Sequence, residues 1–234
     1  MKNKFLKALL LLVTILSTSI IYAQSIDIGI RGGVGGGSIE TRPFWEKNSS
    51  FGVPVYGLSI LYKGKLKYLD ALEANVNYTT SQFSWLAKNK SDSSYTRKIN
   101  AIEIPIMWHA YYSLDNDRLN IFLNLGPYIS YDISSKESWI GNDIGNSAWE
   151  TRTQDYEYSN LKDNRFGYGA IGGIGISYIF AKRITISAEA RYRFGFNDIY
   201  KNPVNYPTST YYQAQVSQYR FSAGISYRIW KIKE

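Results

Sequence analysis

Histidine occurs once in the chain, at position 109. Near neutral pH an imidazole offers general acid or base chemistry, and a carboxylate beside it would orient it. Glu73 is the carboxylate that strand pairing could set opposite His109. Spacing adds no serine, cysteine or aspartate to the couple, so the third member of a nucleophilic triad is missing. One histidine and no cysteine cannot build a His-rich or thiolate metal site. The run Gly32-Gly33-Val34-Gly35-Gly36-Gly37 has the glycines of a phosphate loop but neither its lysine nor a following helical pattern. No catalytic, cofactor-binding or metal residue is therefore expected.

The remaining ionisable residues follow another rule. Asp27, Arg31, Glu73, Glu103, His109, Asp132, Glu189, Arg191, Arg193, Arg220 and Arg228 each lie between apolar neighbours in stretches that alternate with period two. Such alternation puts the charges on one face of a β-strand and the apolar residues on the other. Eight stretches read this way, at about 25–37, 52–62, 69–83, 98–112, 119–133, 165–180, 184–197 and 217–231. Each matches or exceeds the roughly 9–11 residues that a tilted strand needs to cross a bilayer. Soluble sandwich strands usually run to about 5–6 residues.

Connections alternate in length. Short ones follow the second, fourth and sixth stretches; long ones follow the first, third, fifth and seventh, the longest being 134–164. In bacterial barrels short turns face the periplasm and long loops the exterior. The expected fold is all-β: an eight-stranded antiparallel up-and-down transmembrane barrel, monomeric, with both termini in the periplasm of a Gram-negative cell. The aromatic content of 16%, with 21 tyrosines, suits two interfacial girdles. Residues 1–23 read as a cleaved signal peptide: Lys2, Lys4 and Lys7, then the apolar Leu9 to Leu16, then Ala23 before a cut at Gln24. Residues 24–234 form the barrel domain. Removing the three leader lysines from 27 cationic residues leaves 24 against 19 acidic ones, a net +5 scattered without a nucleic-acid motif.

An eight-stranded barrel is about as wide as its own interior side chains. The inward charges are then expected to pair into a plug, with Arg228 meeting Asp27 where the barrel closes. The three-residue turn 181–183 sets Phe180 opposite Ile184, and deeper in the same register Gly175 opposite Glu189 and Gly173 opposite Arg191. In the loops, Phe44, Trp45, Trp85, Trp139 and Trp149 are candidates for contact with a partner, a glycan or lipopolysaccharide, or for dipping into the outer leaflet.

Several stretches resemble the PorT-like outer-membrane β-barrel family of Bacteroidota. Ala101-Ile102-Glu103-Ile104-Pro105-Ile106 is similar to its Leu-Glu-Ile-Pro-Leu strand, and Leu125-Gly126-Pro127-Tyr128 to its Gly-Pro-Tyr strand. Residues 169–175 resemble its glycine-rich strand, and Ala188-Glu189-Ala190-Arg191-Tyr192 with Gly195 and Asp198 another. Residues 224–229 resemble the C-terminal signal read by the barrel-insertion machinery, although Trp230 and a tail to Glu234 replace the usual terminal aromatic. The resemblance implies an outer-membrane barrel, in a family whose founding member serves type IX secretion. The expected function is thus non-enzymatic: a plugged barrel with a structural or interaction role, accessory to protein secretion or surface display. Its partners would be outer-membrane lipid and lipopolysaccharide, the insertion machinery, and a secretion or surface protein. The alternatives are a narrow channel for small solutes and an outer-membrane enzyme acting on lipid or peptide through His109.

Overall fold

The computed structural model describes residues 25–40, 46–64, 71–86, 94–114, 118–142, 149–161, 163–201 and 215–231. The signal peptide expected at 1–23, and Phe44 and Trp45, lie outside them. Nine strands follow in order: β1 (Ser25–Glu40), β2 (Glu46–Lys63), β3 (Ala71–Leu86), β4 (Ser94–Leu114), β5 (Leu119–Asn142), β6 (Trp149–Asp155), β7 (Phe166–Ala181), β8 (Ile184–Asp198) and β9 (Gln215–Lys231). All pair antiparallel. Eight of them close a ring, β1-β2-β3-β4-β5-β7-β8-β9, with β9 returning to β1. β6 stands outside the ring and pairs with β5 alone among the described residues.

Period-two sequence makes this ring because each face has one kind of neighbour. Ile28, Ile30, Leu58, Ile60, Val76, Ile104, Leu123, Ile174, Ile186 and Ile225 point away from the barrel and are exposed. Polar residues at the alternate strand positions point into the lumen and are buried, Asp27, Glu73, Glu103, Asn124, Glu189 and Arg191 among them. A soluble protein would invert that pattern. Among the described residues no helix is long and apolar enough to cross a membrane, which says nothing of strand crossing.

Three expectations need correction. First, 134–164 is not simply a loop. β5 continues to Asn142, pairs with Ser94–Asn100 of β4 on one side, and above Ser135 pairs with β6 on the other. Continued pairing gives partners to backbone N–H and C=O groups that a bare loop would leave to water. Trp139 and Trp149 therefore stand on strands, and Trp85 lies within β3 rather than after it. Second, Ala181, not Phe180, pairs with Ile184; an irregularity between Ile179 and Ala181 absorbs one residue at the tight turn. Deeper in, Gly175 faces Glu189 and Gly173 faces Arg191, as the sequence suggests. Third, Glu73 pairs with Met107, not His109. Its carboxylate still reaches the imidazole diagonally.

Candidate functional site

The lumen holds two clusters of charge. In the one nearer the short connections, β3 supplies Glu73, β1 Arg31, and β8 both Glu189 and Arg191. Arg31 spans the two carboxylates, Nη2 at 2.7 Å from Glu73 Oε1 and Nη1 at 2.9 Å from Glu189 Oε2. Arg191 does the same, Nη2 at 2.6 Å from Glu73 and Nε at 2.6 Å from Glu189. Two cations thus meet two anions. Asn124 of β5 lies beneath, its Nδ2 donating to Glu73 at 2.9 Å and to Glu189 at 2.8 Å. Since both amide protons are committed, Asn124 Oδ1 must accept, and it takes the Nδ1 proton of His109 at 2.7 Å. The imidazole stacks on Phe122, ring centroids 4.9 Å apart, and its Nδ1 lies 3.5 Å from Glu73 Oε2. His109 is a held lumen residue. Among the described residues no serine or threonine hydroxyl hydrogen-bonds it.

Toward the long connections, Glu103 of β4 accepts from Arg220 Nη1 at 2.5 Å and Nη2 at 2.9 Å, and lies 3.1 Å from Arg193 Nε. Gln218 Oε1 accepts from Arg220 at 3.0 and 2.7 Å and its Nε2 donates to the Thr80 carbonyl, so the guanidinium is fixed on two sides. Glu103 thus holds two cations, and Asp132 lies within electrostatic reach of Arg193. Arg193 also lies over the Tyr128 ring, 4.4 Å from its centroid. Tyr128, Met107 and Ile171 make a small apolar contact set between the clusters, on the β4-β5-β7 side. Buried ions persist only where partners replace water, and balanced bidentate clusters supply them.

Past the inner cluster, at the short-connection mouth, Arg228 Nε lies 2.9 Å from Asp27 Oδ1, with Lys63 Nζ 3.7 Å from Oδ2. A cavity of about 50 Å³ opens there, lined by Ser59, Ser177, Thr185, Ser187 and Ser226 around Lys63 and His109. It has room for water and no more than a very small solute. No group of three or more metal-ligating side chains occurs among the described residues.

Glycines make the inner cluster possible. A Cβ on Gly173 would stand 2.7 Å from Arg191 Cγ and 2.7 Å from Glu189 Oε1, whereas one on the outward Gly172 would meet Leu125 Cδ1 at 3.4 Å. Gly173→Val should cost roughly 1–3 kcal/mol by overpacking, and Gly172→Val clearly less. Urea unfolding of the two variants in lipid vesicles checks the order. Equal losses would mean the lumen has slack at Arg191.

Sequence reasoning missed a third construction, at the long-connection mouth. Arg97 of β4 is 1% exposed. Its guanidinium lies 3.5 Å from the Tyr156 ring centroid and 5.5 and 5.8 Å from those of Tyr158 and Tyr200. It donates to Ser135 Oγ at 3.0 Å and to the Tyr200 hydroxyl at 3.3 Å, and lies 3.8 Å from Asp163 Oδ1. Tyr156 donates to that same oxygen at 2.9 Å. Asp163 bridges to Tyr200, and Asn164 N–H donates to the Ile199 carbonyl, so two connections are stitched over the mouth. The sequence signal available was Tyr156 and Tyr158 two apart in one connection, with Asp163 after them and Tyr200 in the next.

Burial, with Asp132 nearby, pushes the Tyr158 phenol up to about 12. Burial also raises Tyr156. Raised phenols favour the folded latch at pH values below an ordinary tyrosine pKa of about 10, and that contribution is lost as pH rises through 12. Arg97→Ala should free 156–165 while the barrel survives. The check is limited trypsin digestion, which should nick between Tyr156 and Arg165 in the variant at least tenfold faster; an unchanged rate would remove the latch.

Of the loop aromatics, Trp139 is 49% exposed and packs edge-on against Tyr95, centroids 4.3 Å apart. Trp85 and Trp149 are placed on β3 and β6, apart from it in sequence and strand.

A family model described as outer membrane protein beta-barrel domain matches residues 22–201. Among solved structures, the chain is similar to Ail, the attachment invasion locus protein of Yersinia pestis, with 12% identity and a TM-score of 0.38 over 88% of this chain and 99% of that one. It is also similar to Neisserial surface protein A, with 13% identity and a TM-score of 0.42 over 86% and 96%. A third is the outer membrane protein OprG from Pseudomonas aeruginosa, with 12% identity and a TM-score of 0.42 over 88% and 97%. No curated protein matches the chain.

Proposed function

The chain belongs to the outer membrane protein beta-barrel domain family, and on that premise we propose that it is a non-enzymatic, occluded barrel that serves as an interaction subunit. The short connections would face the periplasm and the long ones the exterior, the order usual in bacterial barrels. Its role would be accessory to protein secretion or surface display, the role suggested by the PorT-like, Bacteroidota-type motifs at 101–106, 125–128, 169–175 and 188–192. The observation that carries this reading is the closed pair of lumen clusters: among the described residues Glu73, Glu189 and Glu103 are each held by two arginines inside the barrel, so paired charge occupies the path a travelling ion would take. What remains available for recognition is the projecting β4-β5-β6 sheet, where Arg152 and Ile140 are exposed, and Leu161 beside it at 84% exposure.

The enzyme reading is disfavoured because, although Ser59, Ser177, Thr185, Ser187 and Ser226 line the same cavity as His109, none of their hydroxyls hydrogen-bonds the imidazole among the described residues, so no nucleophile and base are coupled there. A photo-crosslinker placed in turn at Arg152 and Leu161, in native outer membranes, tests the interaction role. The same outer-membrane or secreted protein captured from both positions, and not from a crosslinker at the short turn residue Lys182, is the expected result. Capture of lipid alone from both positions would end the reading.

A further inference from the structure

On the outside of the barrel wall, beyond the ring of Tyr78, Ile102 and Tyr131, two lysines face each other. Lys98 of β4 pairs directly with Lys136 of β5. Their inward neighbours Arg97, Ile99 and Ser135 are buried, so both ammonium groups point outward, and Lys136 is 64% exposed. Directly opposed residues in an antiparallel pair have Cβ atoms about 4.5–5.5 Å apart, and like charges there are destabilising. Among the described residues the acid paired with them is Asp155 of β6, opposite Lys136 and 4.0 Å from it, itself 86% exposed. The pair thus keeps a net positive charge.

The ground beneath it is ordered. In the next row toward the aromatic ring, Thr80 donates to Asn100 Oδ1 at 3.0 Å and Asn100 Nδ2 donates to Ser134 Oγ at 3.1 Å. In the row below that, Ile102 pairs with Tyr131, and the Arg165 guanidinium lies 4.9 Å from the Tyr131 ring centroid while bonding the Asp132 and Ile133 carbonyls. Lys98 stands four positions along the strand from Ile102. At about 3.4 Å per residue and a strand tilt near 40°, the lysines stand roughly 10 Å above the ring. That is the depth of lipid headgroups rather than of acyl chains.

We propose that Lys98 and Lys136 clamp a phosphate monoester on a lipid headgroup of the outer leaflet. A phosphate dianion between two ammonium groups converts their mutual repulsion into attraction, and lysine binds phosphate as a point charge without needing the planar fork of arginine. The hydroxyl and amide row below offers donors to the remaining ester oxygens. Tyr78 and Tyr131 lie where the attached sugar or chain would descend into the membrane. The site rests on the orientation proposed above and not on the accessory role.

The test uses the full-length protein, folded in detergent with lipid A as probe, and native mass spectrometry to count retained lipid. Each lysine should contribute about fivefold, so Lys98→Gln/Lys136→Gln should lower retention about twenty-five-fold while its folded gel mobility stays unchanged. Dephosphorylated lipid A should bind both proteins equally weakly. Undiminished retention of lipid A by the double variant overturns the site, as does equal binding of the dephosphorylated probe by the parent. Millimolar inorganic phosphate that displaces lipid A would assign the clamp to a soluble phosphate and overturn the lipid source; no displacement supports it. Because the chain has no cysteine, Leu161→Cys labelled on intact cells by a membrane-impermeant maleimide reports orientation separately. Labelling with a failed lipid arm sinks the clamp alone; no labelling sinks its outer-leaflet premise.

Discussion

Glu103→Ala is expected to cost about 3–5 kcal/mol of barrel stability, the range for breaking a buried ion cluster from one side. Glu103 has no exposed surface, and its two oxygens hold Arg220 at 2.5 and 2.9 Å and Arg193 at 3.1 Å. Removing the carboxylate leaves two guanidinium groups in the lumen with Asp132 as the remaining acid in their cluster. The penalty is that of uncompensated charge, not of a lost hydrogen bond, so Glu103→Gln should lie close to the alanine variant despite its shape. Replacing the cluster as a unit, Glu103→Leu and Asp132→Asn with Arg193→Met and Arg220→Met, should recover most of the loss, because no charge of the cluster then remains to desolvate. Reversible urea unfolding in lipid vesicles, followed by tryptophan fluorescence and gel mobility, measures all three. A Glu103→Ala loss below about 1 kcal/mol, the scale of an exposed pair, would mean that water reaches the cluster and that the lumen is not dry.

The barrel itself was legible because one residue in two carries the lipid-facing signal over eight stretches, and no soluble arrangement wants that many exposed Ile and Tyr. The register between β7 and β8 was legible because a short turn fixes it and the large charges Glu189 and Arg191 need the glycines opposite. β6 was not. Trp-Glu-Thr-Arg-Thr-Gln-Asp has no apolar alternation, since both of its faces meet water, and only its pairing to β5 makes it a strand. Arg97 was hidden for a related reason. Beside Lys98 it reads as one of two exposed loop cations, and only the fold of 156–165 back over the mouth turns one of them into the most buried arginine in the latch. Asn124 was visible as an inward residue, yet its part in orienting His109 depends on two carboxylates contributed by β3 and β8, 51 and 65 residues away in sequence. Local periodicity reports which face a residue takes. It cannot report which residues meet across a closed ring, and lumen chemistry is made of those meetings.

In a planar bilayer the reconstituted protein should show no conductance steps above the lipid baseline. An ion crossing the lumen would have to displace Arg31 and Arg191 from Glu73 and Glu189, then Arg220 from Glu103, at contacts of 2.5 to 2.9 Å. Each exchange trades a paired, oriented charge for a partly hydrated one in a space that eight strands leave barely wide enough for side chains. Screening by salt does not help much, because buried pairs are screened far less than exposed ones. The converse is an engineered opening. Glu73→Ser, Glu103→Ser, Arg191→Ser and Arg220→Ser together remove two acids and two bases, so net charge is unchanged while one acid and one arginine leave each cluster. That variant, if it folds by gel mobility, should conduct, and Glu103→Ser with Arg220→Ser alone should not, because the inner cluster still closes the path. Should the quadruple variant fail to fold, Glu73→Ser with Arg191→Ser gives a second reading: it too should stay silent behind the intact Glu103 cluster. Steps from the parent protein would establish a channel and end the occluded reading. Steps from either double variant would show that one cluster alone holds the barrel shut, and would locate the gate at the cluster removed.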